Sequence, residues 1–127
     1  MYHMKNLIIT LTLLISLSSF SQDYAINVTA DSRNDYKLVG IDSNGEINGL
    51  DVDLIFKNGS EIVFNVNSPG HPFVIKSQPG IGKKNILKEV QNNNISKGVV
   101  KWIPTSHGTY YYQCIKHKNK YGKIIIR

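Results

Sequence analysis

Apolar side chains recur along the chain in short runs that polar and turn residues separate. The runs that follow residue 22 are Ala25–Ala30, Tyr36–Ile41, Val52–Phe56, Glu61–Val66, Phe73–Lys76, Val99–Ile103, Thr109–Cys114 and Lys123–Ile126. Most are four to seven residues long and several alternate between apolar and polar positions, which is typical of β-strands. Seven or eight strands without a long amphipathic helix predict an all-β fold, a Greek-key β-sandwich.

Two connections between these runs carry further expectations. Asn58-Gly59 separates two strand-like runs, and this dipeptide predicts a tight β-hairpin. Ser77–Gly98 is too long and too rich in Gly and Asn for another strand, and we expect it to cover one end or flank of the sandwich. Within it, Asn85–Val90 could form one short helix.

The N-terminal segment has the pattern of an export signal. Lys5 precedes the apolar run Leu7–Phe20, and the small side chains of Ser19 and Ser21 suit a cleavage site. We therefore expect a signal peptide over residues 1–21 and one domain over residues 22–127, in the periplasm or secreted, with no membrane span after cleavage. An uncleaved anchor helix is the alternative, and Met4 is an alternative start.

The single cysteine, Cys114, is unusual for an exported domain, which more often carries paired cysteines. An unpaired thiol in an oxidising compartment is protected by burial or by a metal. The net charge of +6 would suit nucleic acid, but export and the absence of aromatic residues interleaved with the lysines argue against it. An acidic protein or an anionic envelope is the better match.

Candidate metal ligands surround this cysteine. Alternation along Thr109–Cys114 puts Tyr110, Tyr112 and Cys114 on one face, which we expect to be the core face. His117 follows in a turn, and His71 lies 43 residues before Cys114, on a strand that could lie beside it. Two imidazoles and one thiolate are the ligands of a trigonal copper site, whereas a closed structural zinc site needs four ligands.

These residues stand in stretches that resemble the cupredoxins, the blue-copper family that includes plastocyanin and pseudoazurin. The stretches are GHPFVI and GTYYYQCIKHKNKYGKIII, and the resemblance runs from about Tyr36 to Arg127. It implies that His71, Cys114 and His117 bind one copper ion that cycles between Cu(I) and Cu(II). It also implies that Tyr110 locks a corner of the sandwich.

Two positions depart from the family pattern. Lys120, followed by Tyr121, occupies the place where many cupredoxins have the axial methionine. The axial position could be empty or filled by a backbone carbonyl, it could be approached by Lys120, Tyr121 or water, or the site could be metal-free. Pro72 follows the first histidine, where several cupredoxins have a residue whose N–H donates to the cysteine sulfur, and proline has no N–H.

Together these features predict an exported, monomeric one-electron carrier rather than an enzyme. The resemblance makes His117 the exit for electrons. Three nearby lysines would steer an acidic redox protein toward it, namely Lys116, Lys118 and Lys123. A copper capture or delivery protein and a metal-free binding module of the same fold are the alternatives.

Overall fold

The computed structural model describes residues 23–127, and within them nine β-strands form two sheets. The strands are β1 (Tyr24–Thr29), β2 (Lys37–Asp42), β3 (Gly45–Leu50), β4 (Leu54–Phe56), β5 (Ile62–Asn67), β6 (Phe73–Lys76), β7 (Lys97–Trp102), β8 (Gly108–Cys114) and β9 (Tyr121–Ile126). One sheet has the order β3-β2-β1-β5-β7 and the other β4-β9-β8-β6. The prediction of an all-β fold is confirmed.

Apolar faces of the two sheets meet in one core. β1 pairs with β5 and β4 with β9 in parallel, and the remaining pairs are antiparallel. Inward positions supply a chain of aromatic rings, in which Phe73 contacts Phe64, Tyr36 and Tyr112 at centroid distances of 5.2, 5.3 and 5.8 Å. These rings lie directly beneath Cys114, because Phe73 is its register partner on the neighbouring strand.

The three tyrosines of β8 divide between the faces as the alternation predicts. Tyr112 and Cys114 are fully buried in the core, and Tyr110 packs against it at the far end of the strand. The Tyr110 hydroxyl donates to the carbonyl of Ser106 at 2.9 Å, which ties a corner of the sandwich. Tyr112 crosses Gly122 so closely that a side chain at Gly122 would collide with its ring.

The sequence pattern predicts eight strands and the described residues contain nine, because β3 falls between two predicted runs, Tyr36–Ile41 and Val52–Phe56. Its sequence GEINGL contains two glycines and alternates polar with apolar residues, which gives a weak β signal. β3 is an edge strand that pairs only with β2, through a turn at Ser43-Asn44 after which Gly45 has φ +117°. A single neighbouring strand is enough to order it.

The predicted hairpin at Asn58-Gly59 is wrong. Gly59 does take a turn conformation with φ +85°, but β4 and β5, on either side of it, belong to different sheets. The turn is held by the ends of other segments: Asn58 N donates to Arg127 O, and Gly59 N donates to Pro104 O. The dipeptide therefore carries the chain from one sheet to the other.

Ser77–Gly98 follows the flank of the sandwich, as predicted, but contains no helix at Asn85–Val90. Asn85 itself has φ +64°, which interrupts a right-handed helix. The segment instead runs along the free edge of β6, where Asn93 bonds both the N–H and the carbonyl of Ile75 through its side chain. The loop thus covers a sheet edge that would otherwise expose unpaired backbone groups.

The predicted signal peptide lies outside the described residues. Within residues 23–127, no helix is long and apolar enough to cross a membrane.

Candidate metal centre

Three side chains predicted as ligands converge at one end of the sandwich. His71 lies in the loop before β6, Cys114 ends β8, and His117 lies in the turn before β9. Cys114 Sγ is 3.9 Å from His71 Nδ1 and 3.5 Å from His117 Nδ1. The donor atoms all lie within 4.8 Å of one another, so the trio is positioned as a copper site.

The spacing of these atoms matches a metal at their centre. Bonds of about 2.0–2.3 Å to nitrogen and sulfur place the corners of a trigonal plane roughly 3.7 Å apart. Both Sγ–Nδ1 distances are close to this value, and both rings present the same nitrogen to the sulfur. The donor set of one soft thiolate and two imidazoles fits copper.

Burial differs among the three candidate ligands. Cys114 is fully buried, whereas His71 and His117 are half-buried. The thiol is therefore shielded from solvent while imidazole edges reach the surface. Burial, followed by the positive charge of Lys120, lowers the pKa of His71, so this imidazole stays neutral and able to bind a metal at a lower pH than an exposed histidine.

The backbone of His71 is fixed by a buried serine and a buried tyrosine. His71 N donates to Ser68 O at 2.8 Å, and Ser68 Oγ donates back to His71 O at 2.8 Å. The Tyr36 hydroxyl also reaches His71 O, at 2.9 Å. These bonds hold the backbone of His71 in place without using its ring, which remains available to a metal.

Gln113 holds the turn that carries the other histidine. Its side chain is fully buried, and Nε2 lies 2.8 Å from His117 O and 2.9 Å from Cys114 O, with Lys120 O and Lys118 O at 3.3 and 3.4 Å. The side-chain amide of Gln113 therefore contacts four carbonyls of the turn between Cys114 and Lys120.

The start of the Ser77–Gly98 loop supports this turn from outside. Gln113 Oε1 accepts from Gly80 N at 2.9 Å, and Gly82 N donates to Ile115 O at 2.9 Å. The buried Lys76 side chain donates to the carbonyls of Gly80 and Gly82 at 2.7 and 3.0 Å. The loop is therefore bonded to the ligand turn at two points.

Lys120 and Tyr121, the residues considered for the axial position, lie in different surroundings. Lys120 is fully buried, its ammonium donates to the carbonyl of Ser32, and it lies 4.8 Å from the centroid of the Tyr36 ring. Burial lowers the pKa of Lys120, while the negative charge of Cys114 acts in the opposite direction. Tyr121 lies on the outer face of β9, where its ring packs against Tyr111.

The lysines predicted to dock a partner are all exposed. Lys116 and Lys118 flank His117 in the turn, and Lys123 lies further along β9. The bond from Gly82 to Ile115 brings two more exposed lysines, Lys83 and Lys84, to the same end of the molecule.

Sequence reasoning missed Tyr36, Ser68 and Gln113 as parts of the site. Gln113 alternates with Cys114 and so faces away from the core, where a polar residue normally meets solvent. Only the loop folded over it makes it a buried bridge. Tyr36 begins a predicted strand, but the partners of its hydroxyl lie in the loop before β6.

Asp51, which bonds to the backbone of Tyr36, allows a test of how burial affects a charge near the candidate site. Asp51 Oδ1 accepts from Tyr36 N at 2.9 Å, and burial raises the pKa of the Asp51 carboxyl to about 6. Because the folded protein holds this proton more tightly than the unfolded chain, the residue opposes folding once pH rises from about 4 through about 6. We expect Asp51→Asn to raise the free energy of unfolding by about 1 kcal/mol at pH 7, since the half-exposed group is screened, and by nothing at pH 4.

Urea denaturation between pH 4 and 7 measures this difference. Asn can accept the same bond and tolerates the φ of +45° at residue 51. Asp53→Asn is the matched control, because Asp53 is exposed and its carboxylate accepts a long bond of 3.3 Å from Lys123 N. A pH-independent effect of Asp51→Asn would show that the carboxylate charge is not responsible.

Comparisons with solved structures find the copper protein rusticyanin, and this similarity shows that the fold is cupredoxin-like. Rusticyanin from Thiobacillus ferrooxidans matches with 19% identity and a TM-score of 0.56, covering 81% of this chain and 76% of that one. Reduced rusticyanin matches with 19% identity and a TM-score of 0.54, over 81% and 78%. A variant of amicyanin in the Cu(I) state has 18% identity and a TM-score of 0.46, over 81% and 82%. No protein-family model matches the chain, and no curated protein matches it.

Proposed function

We propose that this protein is an exported copper protein, periplasmic or secreted, that carries single electrons through His71, Cys114 and His117. The observation that supports this most strongly is the convergence of one buried thiol and two Nδ1 atoms at distances suited to a trigonal metal. Copper bound there would supply one-electron chemistry by changing between Cu(I) and Cu(II). The similarity to rusticyanin, described as a copper protein, supports the copper-binding part of this proposal.

The surrounding residues suit electron transfer better than catalysis. Cys114 is held by a strand, His71 by Ser68 and Tyr36, and His117 by Gln113, so the ligands have little freedom to rearrange. Rigid ligands keep the two oxidation states of a metal in similar geometry. We therefore propose an electron carrier rather than an enzyme.

We further propose that the axial position carries no strong side-chain ligand. Lys120 directs its ammonium to Ser32 O and the Tyr36 ring, and Tyr121 lies on the outer face of its strand. Within residues 23–127 there is no thioether, because the two methionines of the sequence are Met1 and Met4. A weak axial ligand tunes the potential more than it holds the metal, so its loss is compatible with copper binding.

A copper titration of the reduced protein tests this function. We expect an intense thiolate-to-copper absorption band that saturates at one equivalent, with a matching EPR signal that disappears on reduction. Cys114→Ser removes the thiolate at almost constant size and should abolish the band. Tight binding with slow electron exchange would instead favour copper capture or delivery, and absence of binding would leave a metal-free binding module.

We propose that the exposed lysines around His117 recruit an acidic redox protein to a monomeric carrier. Lys116 and Lys118 flank His117 in the sequence, Lys123 follows on β9, all three are exposed, and opposite charge accelerates encounter. With hexacyanoferrate(II) as an anionic electron donor, Lys116→Glu combined with Lys118→Glu should slow reduction of the copper site about tenfold at low ionic strength. The effect should shrink as salt is added.

Lys57→Glu combined with Arg127→Glu is the matched control for this charge reversal. Both residues are exposed, and the bond from Asn58 N to Arg127 O places them together at the end of the sandwich opposite the ligands. Stopped-flow rates that fall equally in both double variants would refute local steering and leave only an effect of net charge.

A further inference from the structure

The outer face of the five-stranded sheet carries exposed apolar side chains. Within residues 23–127, seven large apolar side chains are exposed, and four of them lie on this face: Val39, Ile41, Leu50 and Val99. They alternate along their strands with inward residues such as Leu38 and Val100, which are fully buried in the core. A cluster of exposed apolar residues on one sheet face marks an interaction surface.

Charged residues lie at the corners of this face. Its middle row crosses all five strands and is uncharged, with the register partners Asn48, Val39, Asn27, Asn65 and Val99. Glu46 comes two residues before Asn48 on β3, and Lys101 comes two residues after Val99 on β7. Because β3 and β7 run in opposite directions, Glu46 and Lys101 lie in the same row, at opposite edges of the sheet. Opposite charges at opposite edges make the face complementary to itself.

The shape of the face is complementary to itself in the same sense. A groove of about 490 Å³ lies on the half formed by β1, β5 and β7, around Asn65, Asn67 and Gly98. On the other half, Val39 and Leu50 project from β2 and β3, and Leu50 is 59% exposed. A protrusion on one half and a groove on the other are what a two-fold interface between identical chains requires.

We propose that this face binds a second copy of this chain, in a dimer whose two-fold axis runs along the strands. This axis lays β3 and β2 of each copy over β7 and β5 of the other, row on row, as in the aligned packing of two sheets. Glu46 then meets the partner's Lys101, and the symmetry forms this ion pair twice. Leu50, which shares a row with Asn67, meets the partner's groove.

Charge disfavours the other face-to-face arrangement. An axis across the strands would lay each strand over its own copy with the rows reversed, which brings Lys97 against the partner's Lys101. Like charges in contact oppose association. With the axis along the strands, Lys97 instead faces the partner's Leu50, whose row it shares.

The size of the face limits the strength of the dimer. Five strands about 4.8 Å apart, with six residues at about 3.3 Å each, give roughly 400 Å² per copy, or about 800 Å² in total. Standard interfaces bury about 1,600 Å², so we expect a weak dimer with a dissociation constant of about 0.1 mM. The monomeric carrier proposed above is then the form present in dilute solution, and the face contains none of the three candidate ligands.

Sedimentation velocity of the reduced, metal-free protein tests this dimer. The apparent mass should rise toward that of a dimer between about 0.01 and 1 mM at low ionic strength. Glu46→Lys puts like charges opposite each other at both ion pairs, as does Lys101→Glu, and each should weaken association about tenfold. An equimolar mixture of these two variants should recover the association of the natural chain, because each offers the charges that the other lacks. Each substitution changes the net charge of +6 by two, to +8 and to +4, so general attraction between the variants cannot explain this recovery.

Leu50→Ser removes the protrusion, and Ile81→Ser is its matched control. Ile81 is 57% exposed but lies in the Gly80–Gly82 segment, over the four-stranded sheet. We expect Leu50→Ser to weaken dimerisation about tenfold and Ile81→Ser to leave it unchanged. No association up to about 1 mM, equal effects of the two serine variants, or no recovery in the mixture would each overturn the proposed dimer. Because copper takes no part in these measurements, the proposed electron transfer is judged separately by the copper titration.

Discussion

Copper should raise the free energy of unfolding of this protein by about 4 kcal/mol when free copper is buffered at about a thousand times the dissociation constant. Only the folded chain brings His71, Cys114 and His117 together, because they come from two separate loops and the end of a strand. Binding to the folded state alone therefore appears in full as stability. For a domain of this size the melting temperature should rise by roughly 15–30 °C.

Calorimetry of the anaerobic protein with and without copper measures this shift. His117→Gln removes one ligand and should lose most of it, whereas His107→Gln, which alters an exposed histidine outside the trio, should keep it. Comparing these two variants distinguishes copper at the proposed site from adventitious copper on surface imidazoles. A shift that survives His117→Gln, or no shift in the natural protein, would contradict the proposed site.

The juxtaposition of the three candidate ligands could be predicted because it depends on short-range rules. Alternation along β8 puts Cys114 at the rim of the core face, and a turn of two residues brings His117 back to it. His71 needed one long-range assumption, that two strands far apart in sequence lie side by side. The pairing of Phe73 with Cys114 satisfies that assumption.

Other features could not be predicted, because the partners that determine them are distant in sequence. β3 has weak intrinsic preference and is ordered by pairing with β2, and Asn58-Gly59 forms a turn whose bonds go to Arg127 and Pro104. The local sequence does not distinguish β3 from a loop, or the turn at Asn58-Gly59 from a hairpin. The same holds for Tyr36, since its burial follows from pattern but its hydroxyl partners come from another loop.

Among the residues that do not contact the metal, Gln113 should contribute most to the stability of the turn between Cys114 and Lys120. Gln113→Met keeps the length of the side chain and its apolar volume but removes the amide that bonds Cys114 O, His117 O and Gly80 N. The two carbonyls retain weaker partners within the turn, at 3.4 Å for His117 N to Cys114 O and 3.2 Å for Lys120 N to His117 O. Gly80 N loses the only partner found for it within residues 23–127.

We therefore expect Gln113→Met to lower the free energy of unfolding of the apo protein by about 3 kcal/mol, the cost of leaving buried polar groups without good partners. Copper should also dissociate about tenfold faster, because the turn that presents His117 loses its support. Gln91→Met is the matched control: Gln91 is exposed, bonds Lys101 only through its backbone, and should change stability by less than about 0.5 kcal/mol. Urea denaturation and the release of copper to a chelator measure the two effects. Lower stability with an unchanged release rate would mean that Gln113 stabilises the fold but does not hold His117. The rigidity of the turn would then come from Lys76 and the Gly80–Gly82 segment, which its ammonium bonds.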